Sequence, residues 1–350
     1  MVNKNIIVTG GYGFIGSCLV KELLKDENVS VCNIDKLTYS SNIDSIDKSC
    51  KNFSFIKGDI SDTELLRSIF SDFQPDAIFN LAAETHVDRS IDNPYTFIKS
   101  NINGTFSLLY EGYNYWKLLP KDKKLNFKFI QISTDEVYGT LTKNDDPFDE
   151  DSLYRPNSPY SASKASADHL VRSWFKTYSF PSIITNTCNN YGPWQFPEKL
   201  IPLIISKCLK NEKIPVYGDG NQIRDWIRVE DNVSGLLKVL ECGMIGEKYN
   251  IGANCELKNI DVVNDICTIL DRLIPNINYS YTKLIDFVDD RPGHDYRYAI
   301  NNSKIKKLGW SQKYSWENGI LETVKWYLDN KKFLLSNKKS GYSGERLGKL

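Results

Sequence analysis

The order of this sequence predicts an α/β protein built on a doubly wound parallel sheet. Two observations carry that expectation. Short apolar runs alternate with helical patterns through the first half, and the first run ends in a glycine-rich turn. Continuous apolar strands separated by helices indicate a parallel sheet covered on both faces.

The strand candidates are NIIVTG (5–10), VSVCNID (29–35), FSFIKGD (53–59), AIFNLAA (77–83) and FKFIQIS (127–133). Between the third and fourth, Ser61 and Glu64 fit a capping box, and Leu65, Leu66, Ile69 and Phe70 recur on one helical face. The second half is less regular, interrupted by Pro181, Pro193, Pro197, Pro202, Pro215 and Pro292. There YGDGNQ (217–222) reads as a turn and 259–273 as a helix. The expected division is a nucleotide-binding domain over 1–185 and a smaller, loop-rich α/β lobe over 186–350, with some segments returning to the first. The last dozen residues carry no core-forming pattern and are expected at the surface or against a partner.

Composition narrows the function. The 350 residues are 41% hydrophobic and 25% charged, and Lys+Arg equals Asp+Glu at 44 each. No overall basic field favours nucleic acid or a membrane surface. No apolar run is long enough to span a bilayer, and the chain enters a strand almost at once, so a cytoplasmic protein is expected. The eight cysteines (18, 32, 50, 188, 208, 242, 255 and 267) form no C-x-x-C pair, and the only histidines are His86, His169 and His294. Neither a disulfide framework nor a metal centre is expected.

The first strand runs into T-G-G-Y-G-F-I-G, with Gly10, Gly13 and Gly16 at three-residue spacing. Such glycines let the backbone approach a pyrophosphate, which the N–H groups of the following helix then meet. The second strand ends in Asp35, placed to accept hydrogen bonds from an adenosine ribose. Its charge repels a 2′-phosphate, so NAD is expected over NADP. Asp59 at the end of the third strand and the LAAE stretch (81–84) fall where such sheets gather ligands.

Two further motifs carry chemistry. In N-S-P-Y-S-A-S-K, Pro159 suits a first helical turn with Ser158 or Asn157 as cap, which puts Tyr160 and Lys164 one turn apart on one face. An ammonium near a phenol lowers the phenol's pKa and makes it a usable base. In QISTDEVYG (131–139), a buried strand delivers Thr134, Asp135 and Glu136 just where it ends. Adjacent carboxyls disfavour double ionisation, so one can stay an acid while its neighbour is a base. Successive strand residues alternate in direction, so the strand must break there for both to reach one substrate.

Together these motifs resemble the extended short-chain dehydrogenase/reductase superfamily, which implies a Rossmann fold. AAETHVDRSID (82–92), ISTDEVYG (132–139), SPYSASKASADHLVRSW (158–174), NNYGP (189–193), FPEKLIPL (196–203), PVYGDGNQIRDW (215–226) and DRPGHDYRYAI (290–300) narrow it. They resemble the nucleoside-diphosphate-glucose 4,6-dehydratases, and within them the dTDP-glucose branch, over nearly the whole chain. The resemblance implies NAD bound through turnover, held by Gly10, Gly13, Phe14, Ile15, Gly16, Asp35, Lys36, Leu37, Thr38, Asp59, Ile60, Leu81, Ala82, Ala83, Ser100, Tyr160, Lys164 and Asn190. It implies that Tyr160 is the base for C4 oxidation, Asp135 the acid at C6, Glu136 the base at C5, and Thr134 a partner of the C4 oxygen. It places the nucleotide sugar on Thr85, Thr134, Asn189, Lys199, Leu200, Pro215, Tyr217, Arg224, Asn259, Arg291 and His294.

Guanidinium forks suit diphosphate oxygens, which gives the two arginines a chemical reason. In this chain Tyr12 replaces a small residue inside the glycine turn, with a possible effect on the pyrophosphate edge, and Thr85 stands where serine is common. The resemblance also implies a homodimer, paired through helices near 95–116 and 160–178 that present Phe97, Leu108, Leu109, Trp116, Leu170 and Trp174 to a partner or to their own core. A UDP-sugar 4-epimerase shares the fold, NAD and the Tyr/Lys pair but needs no Asp-Glu elimination pair. A non-catalytic NAD-sensing protein would need none of these groups. The sequence leaves dTDP-glucose and UDP-glucose both open as substrate.

Overall fold

The computed structural model of the chain describes residues 4–335 and 347–348. Among the described residues twelve strands form, in chain order: β1 (Lys4–Thr9), β2 (Val29–Asp35), β3 (Phe53–Lys57), β4 (Ala77–Asn80), β5 (Lys128–Thr134), β6 (Ser182–Thr187), β7 (Asn189–Tyr191), β8 (Ile214–Tyr217), β9 (Ile223–Arg228), β10 (Lys248–Ile251), β11 (Glu256–Lys258) and β12 (Ile285–Val288). Seven of them make one sheet in the order β10-β6-β5-β4-β1-β2-β3, with every neighbouring pair parallel. The order reverses beside β1, and the crevice at such a switch point is where open α/β sheets take ligands.

Alternate strand residues serve opposite faces, as a pleated strand requires. Ile6, Val8, Val31, Phe79 and Ile130 join a core with Leu19, Val20 and Leu23 of the Phe14–Leu23 helix and Leu236 and Val239 of the Val229–Cys242 helix. Ile7, Cys32, Ile34, Ile78 and Phe129 face the other way. They pack with Leu66, Ile69 and Phe70 of the Thr63–Phe73 helix and with Leu108 and Leu109 of the Gly104–Trp116 helix. Burial on both sides explains why these strands read as unbroken apolar runs. A third core, with Ile204, Ile205, Val262, Ile266 and Val324, belongs to the smaller lobe and its two short sheets, β11-β9-β7 and β12-β8.

The five anticipated strands all form; 29–35 keeps its bounds and the others move by one to three residues at one end or both. β6 and β10 complete the sheet and carry polar residues such as Asn186 and Asn250, buried through hydrogen bonds that no apolar run announces. The cap of the Thr63–Phe73 helix is Asp62, not Ser61. The Asp62 carboxylate accepts from the Leu65 N–H at 3.0 Å, while the Ser61 N–H turns back to Asp59. The 259–273 helix forms as Asn259–Leu273.

On the expected pairing helices, Phe97, Leu108 and Leu109 are buried in this chain's own core and cannot serve a partner. Trp116, Leu170 and Trp174 pack against that core as well. The exposed apolar residues on this side are Tyr95, Ile98, Phe106, Tyr110 and Tyr178. Most of the last dozen residues lie outside those described. Gly348 returns to the Val87–Asp92 helix, where its N–H donates to Asp92. No described helix is long and apolar enough to cross a membrane.

Candidate active site

The carboxyl ends of β1, β2, β4 and β5 open into a cavity of about 300 Å³, the size of a small-molecule pocket. Its floor is backbone. Gly10 sits at φ +70°, and a Cβ there would lie 2.9 Å from the backbone N of Ala82; a Cβ on Gly16 would lie 2.2 Å from the Gly10 carbonyl. Only glycine lets the first turn, the LAAE stretch and the helix start come this close. Gly13 is the N-cap of the Phe14–Leu23 helix and supplies no side chain to its first N–H groups, which leaves them to an anion.

Asp35 is buried at the end of β2. Its carboxylate accepts from the N–H groups of Tyr12 and Leu37 at 2.9 and 2.8 Å and from the Ser41 hydroxyl at 2.9 Å. Three donors leave about one of a carboxylate's four acceptor positions for a ribose hydroxyl. Lys36 and Asp59 pair at 2.7 Å at the same end.

Of the eighteen residues expected around NAD, every one but Leu37 lines this cavity. The Leu37 side chain packs against the core instead, at φ 59°, and only its N–H serves the site. The Tyr12 side chain does not line the cavity. Its ring is buried against Phe55 and Phe53, with centroids 4.9 and 6.3 Å away, so the large residue fills the core beneath the turn.

The opposite wall of the cavity holds the reactive groups. β5 ends at Thr134, and Asp135–Tyr138 turn at once into a single 3₁₀ turn. That break brings Thr134, Asp135 and Glu136 onto one wall. The Thr134 hydroxyl donates to Asp135 at 3.3 Å and accepts from the Glu136 N–H at 3.3 Å. Ser158 and Ser161 close a reciprocal capping box, with Pro159 at the first turn, and so start the Pro159–Tyr178 helix that presents Tyr160 and Lys164. Both are buried.

Electrostatics separate the two carboxyls. Burial, with Glu136 and Asp225 nearby, pushes the Asp135 carboxyl well above the usual carboxylate range. Its Oδ2 is buried without a hydrogen-bond partner, the place for an acidic proton. Burial also raises Glu136, but Arg291, Arg224 and Lys199 oppose that shift and favour its charge. Tyr160 departs from the simple expectation of an acidified phenol. Burial and the Glu136 charge push it well above its ordinary value, and a hydrogen bond with Thr134 opposes them. The Lys164 ammonium is occupied by the Ile132 carbonyl at 2.7 Å, and burial lowers its own pKa against Asp168.

A second cavity of about 210 Å³ adjoins the first; Thr85, Glu136, Asn189, Glu198 and Lys199 line both. Here stand Leu200, Pro215, Tyr217, Arg224, Asn259, Arg291 and His294, so the expected substrate residues all face one cavity or the other. Arg224 is buried, donates to the carbonyls of Ile223 and Asp295 at 2.7 and 2.9 Å, and stacks 4.3 Å over the Tyr298 ring. Arg291 pairs with Asp88 at 2.7 Å, and its Nε is a buried donor without a partner. Tyr217 donates to the other Asp88 oxygen at 2.9 Å. Burial beside Arg291 and Arg224 pushes His294 down to about 4, so it stands neutral.

The sequence reading passed over Asp88, Arg89, Glu198, Tyr298 and Tyr39, although the first three lie inside the quoted AAETHVDRSID and FPEKLIPL stretches. No group of three metal-ligating side chains is found among the described residues.

The comparisons with known proteins agree with this geometry. Residues 7–323 match the family model described as GDP-mannose 4,6 dehydratase. The dTDP-glucose 4,6-dehydratase of Escherichia coli is 51% identical, over 98% of this chain and 99% of the relative. Among solved structures, the dTDP-glucose 4,6-dehydratase of Bacillus anthracis in complex with NAD is 42% identical with a TM-score of 0.84, covering 95% of this chain and 99% of that one. The dTDP-glucose 4,6-dehydratase DesIV of Streptomyces venezuelae, with NAD and TYD bound, is 37% identical at a TM-score of 0.85, covering 94% and 98%. These matches run along nearly the whole length of the chain, and the chain belongs to the nucleotide-sugar 4,6-dehydratase family.

Proposed function

We propose that the protein is an NAD-dependent hydro-lyase that converts a nucleoside-diphosphate glucose, dTDP-glucose or UDP-glucose, to its 4-keto-6-deoxy sugar. This is a step of deoxysugar synthesis of the rhamnose type, in the cytoplasm. The observation that carries the reading is Asp135 beside Glu136 on a strand-end turn, where both cavities meet and the surroundings treat the two carboxyls differently.

The glycine turn, Asp35, Lys36 and Asp59 hold the dinucleotide, and the residues up to about 185 supply most of that cleft. The nucleotide sugar lies mainly on residues of the 186–350 half, with Arg224 and Arg291 at its diphosphate. The chemistry that NAD supplies when bound is uptake of the C4 hydride and its return to C6, which leaves the overall reaction redox-neutral. Tyr160, with Thr134 beside it, takes the C4 hydroxyl proton; Lys164 holds the nicotinamide ribose. A nearby cation is needed to bring so buried a phenol into range, since a positive charge favours phenolate. The 4-keto group acidifies C5–H, so Glu136 removes that proton while Asp135 protonates the departing C6 hydroxyl. One water leaves, Glu136 gives its proton back to C5 when the hydride reaches C6, and the proton that Tyr160 took from the C4 hydroxyl replaces, through solvent, the one that Asp135 gave up, so each group ends as it began. Burial beside Glu136 and Asp225 supports Asp135 as the acid, and the cationic neighbours Arg291, Arg224 and Lys199 support Glu136 as the base.

Incubating the purified protein with dTDP-, UDP- and CDP-glucose should give 4-keto-6-deoxy product from one of the first two. Product with an inverted C4 hydroxyl and an intact C6 hydroxyl would instead identify an epimerase, and absence of turnover would leave a non-catalytic NAD-binding protein. The exposed Tyr95, Ile98, Phe106, Tyr110 and Tyr178 suit a second copy of the chain. A dimer by light scattering is expected, and a monomer at micromolar concentration would refute it.

A further inference from the structure

The residues assigned to chemistry leave a dense cluster of charged and aromatic groups unused. It lies between the two walls of the cofactor cleft. One wall is the loop after β2, where Thr38, Ser40 and Ser41 line the cavity; the other is the segment before the Leu200–Lys210 helix, where Phe196 and Glu198 line it. Tyr39 and Glu198 are 159 positions apart in the chain, yet the phenol donates to Oε1 of Glu198 at 2.7 Å. Arg89, on the Val87–Asp92 helix, donates its Nε–H to Oε2 of the same carboxylate at 2.9 Å. The Arg89 guanidinium also lies 4.2 Å over the Tyr39 ring, and that ring meets Phe196 edge-on with centroids 5.5 Å apart.

This is not a solvated surface pair. The Glu198 side chain is 2% exposed and that of Arg89 28%. A carboxylate buried to that degree is held by its partners, and losing one leaves the rest unsatisfied.

We infer that Tyr39, Arg89 and Glu198 form a clasp that joins the two walls of the cleft and keeps the dinucleotide in place through successive turnovers. The inference rests on the reading of this cleft as the NAD site. The reaction gives it a purpose: a hydride taken from C4 must be returned to C6 of the same sugar, and release in between would strand a keto intermediate. The glycine turn and Asp35 bind one end of the cofactor but tie nothing to the opposite wall. Three residues from three distant segments make that tie, and a bound dinucleotide leaves by the mouth they close. The clasp residues act through position, without touching the reacting atoms.

The test is the rate at which NAD leaves the full-length protein. Wild type, Glu198→Gln, Tyr39→Phe and Arg89→Lys are loaded with NAD, and release is followed after dilution into an excess of labelled NAD. Glu198→Gln loses the charge that Arg89 pairs with and should release NAD at least about tenfold faster. Tyr39→Phe removes one hydrogen bond and keeps both ring contacts, for about threefold. Because the residues form one joint, Tyr39→Phe combined with Glu198→Gln should release no faster than Glu198→Gln alone. Additive effects in the double variant, or wild-type release from Glu198→Gln, would overturn the clasp. Should Glu198→Gln fail to fold, unchanged release in both Tyr39→Phe and Arg89→Lys would overturn it equally. Wild-type protein that loses NAD within one turnover would sink the retention reading itself, a result that no variant is needed to see.

Discussion

The two cavities of this site are built by opposite means. The floor of the cofactor cleft is backbone and small residues, Gly10, Gly13, Gly16, Ala82 and Ala83, gathered at the ends of adjacent strands. The second cavity is long charged and aromatic side chains, Lys199, Tyr217, Arg224 and Arg291, drawn from segments far apart in the chain. A backbone floor is fixed once the sheet forms and admits one shape. A wall of buried charge depends on its members holding one another, as Arg291 and Tyr217 do through Asp88. The first can be damaged by adding a methyl group, the second by a change that keeps volume and alters donor geometry. The residues proposed for catalysis stand at the seam, where the electrostatics of the second cavity act on groups delivered by the first.

The largest effect is expected at that seam. Glu136→Gln keeps the shape and removes the proton acceptor, while Tyr160 and Lys164 are untouched. Loss of a general base costs about a hundred- to ten-thousand-fold, so water elimination should slow by that much while C4 oxidation proceeds. Reduced-nicotinamide absorbance should build up, whereas Tyr160→Phe should show none. A C5-deuterated substrate should keep its label in the Gln variant and lose it to solvent in wild type. Normal C5 exchange in Glu136→Gln would show that the charges around the second cavity do not act through this residue.

The same seam sets a pH profile. Glu136 must be ionised, and burial raises its pKa, so activity falls as pH drops through a value above the usual glutamate range. Asp135 must be protonated, and burial pushes its carboxyl well above the usual range, so activity falls again as pH rises through that shifted value. In a coupled pair the two limbs report the pair rather than either residue. Asp135→Asn should slow turnover and abolish the alkaline limb of kcat; a persisting alkaline limb would assign it to another group.

Gly16→Ala probes the backbone floor. The added Cβ meets the Gly10 carbonyl at 2.2 Å, so the turn must move. Overpacking of that kind costs about 1–3 kcal/mol, and NAD affinity should fall by up to about a hundredfold while affinity for the nucleotide sugar, measured on NAD-saturated protein, changes little. A parallel loss at both ligands would show that the cavities are not separable. Arg291→Lys probes the opposite construction. It keeps the charge and loses the planar fork, so KM for the nucleotide sugar should rise about tenfold with NAD release unchanged.

This difference in construction also explains what the sequence disclosed. The cofactor end was legible because its parts are local: a strand, a glycine turn, a helix, and Asp35 at the next strand end. Tyr160 and Lys164 were legible for the same reason, one helical turn apart behind Pro159. The second cavity was not. No periodicity links Arg224 to Arg291, and only resemblance to relatives assembled them. Side-chain direction was also hidden, since nothing in T-G-G-Y-G says that Tyr12 turns under β3 or that Leu37 faces the core. Tyr39, Arg89 and Glu198 show the limit plainly, because each has its meaning only through the other two.

The smallest expected effect lies outside both cavities and tests whether a purely local signal was read at the right residue. S-D-T-E offers two candidates for the cap of the Thr63–Phe73 helix. The spacing from Ser61 to Glu64 suits a capping box, but the helix begins one residue later than that box requires. Asp62 is the residue in extended conformation, and its carboxylate reaches the Leu65 N–H at 3.0 Å. Its negative charge also complements the helix N-terminus. Asp62→Ala should therefore cost about 1 kcal/mol of stability, read as a lower midpoint in denaturant with an unchanged slope. Ser61→Ala should cost less, because Ser61 turns its backbone N–H and its hydroxyl to Asp59 and not to the helix. Neither substitution should alter NAD release or KM, since this helix packs on the far face of the sheet through Leu66, Ile69 and Phe70. Equal losses from the two alanines would restore Ser61 as a partner in the cap. A change in NAD release would mean that this helix end reaches the cofactor cleft through Asp59.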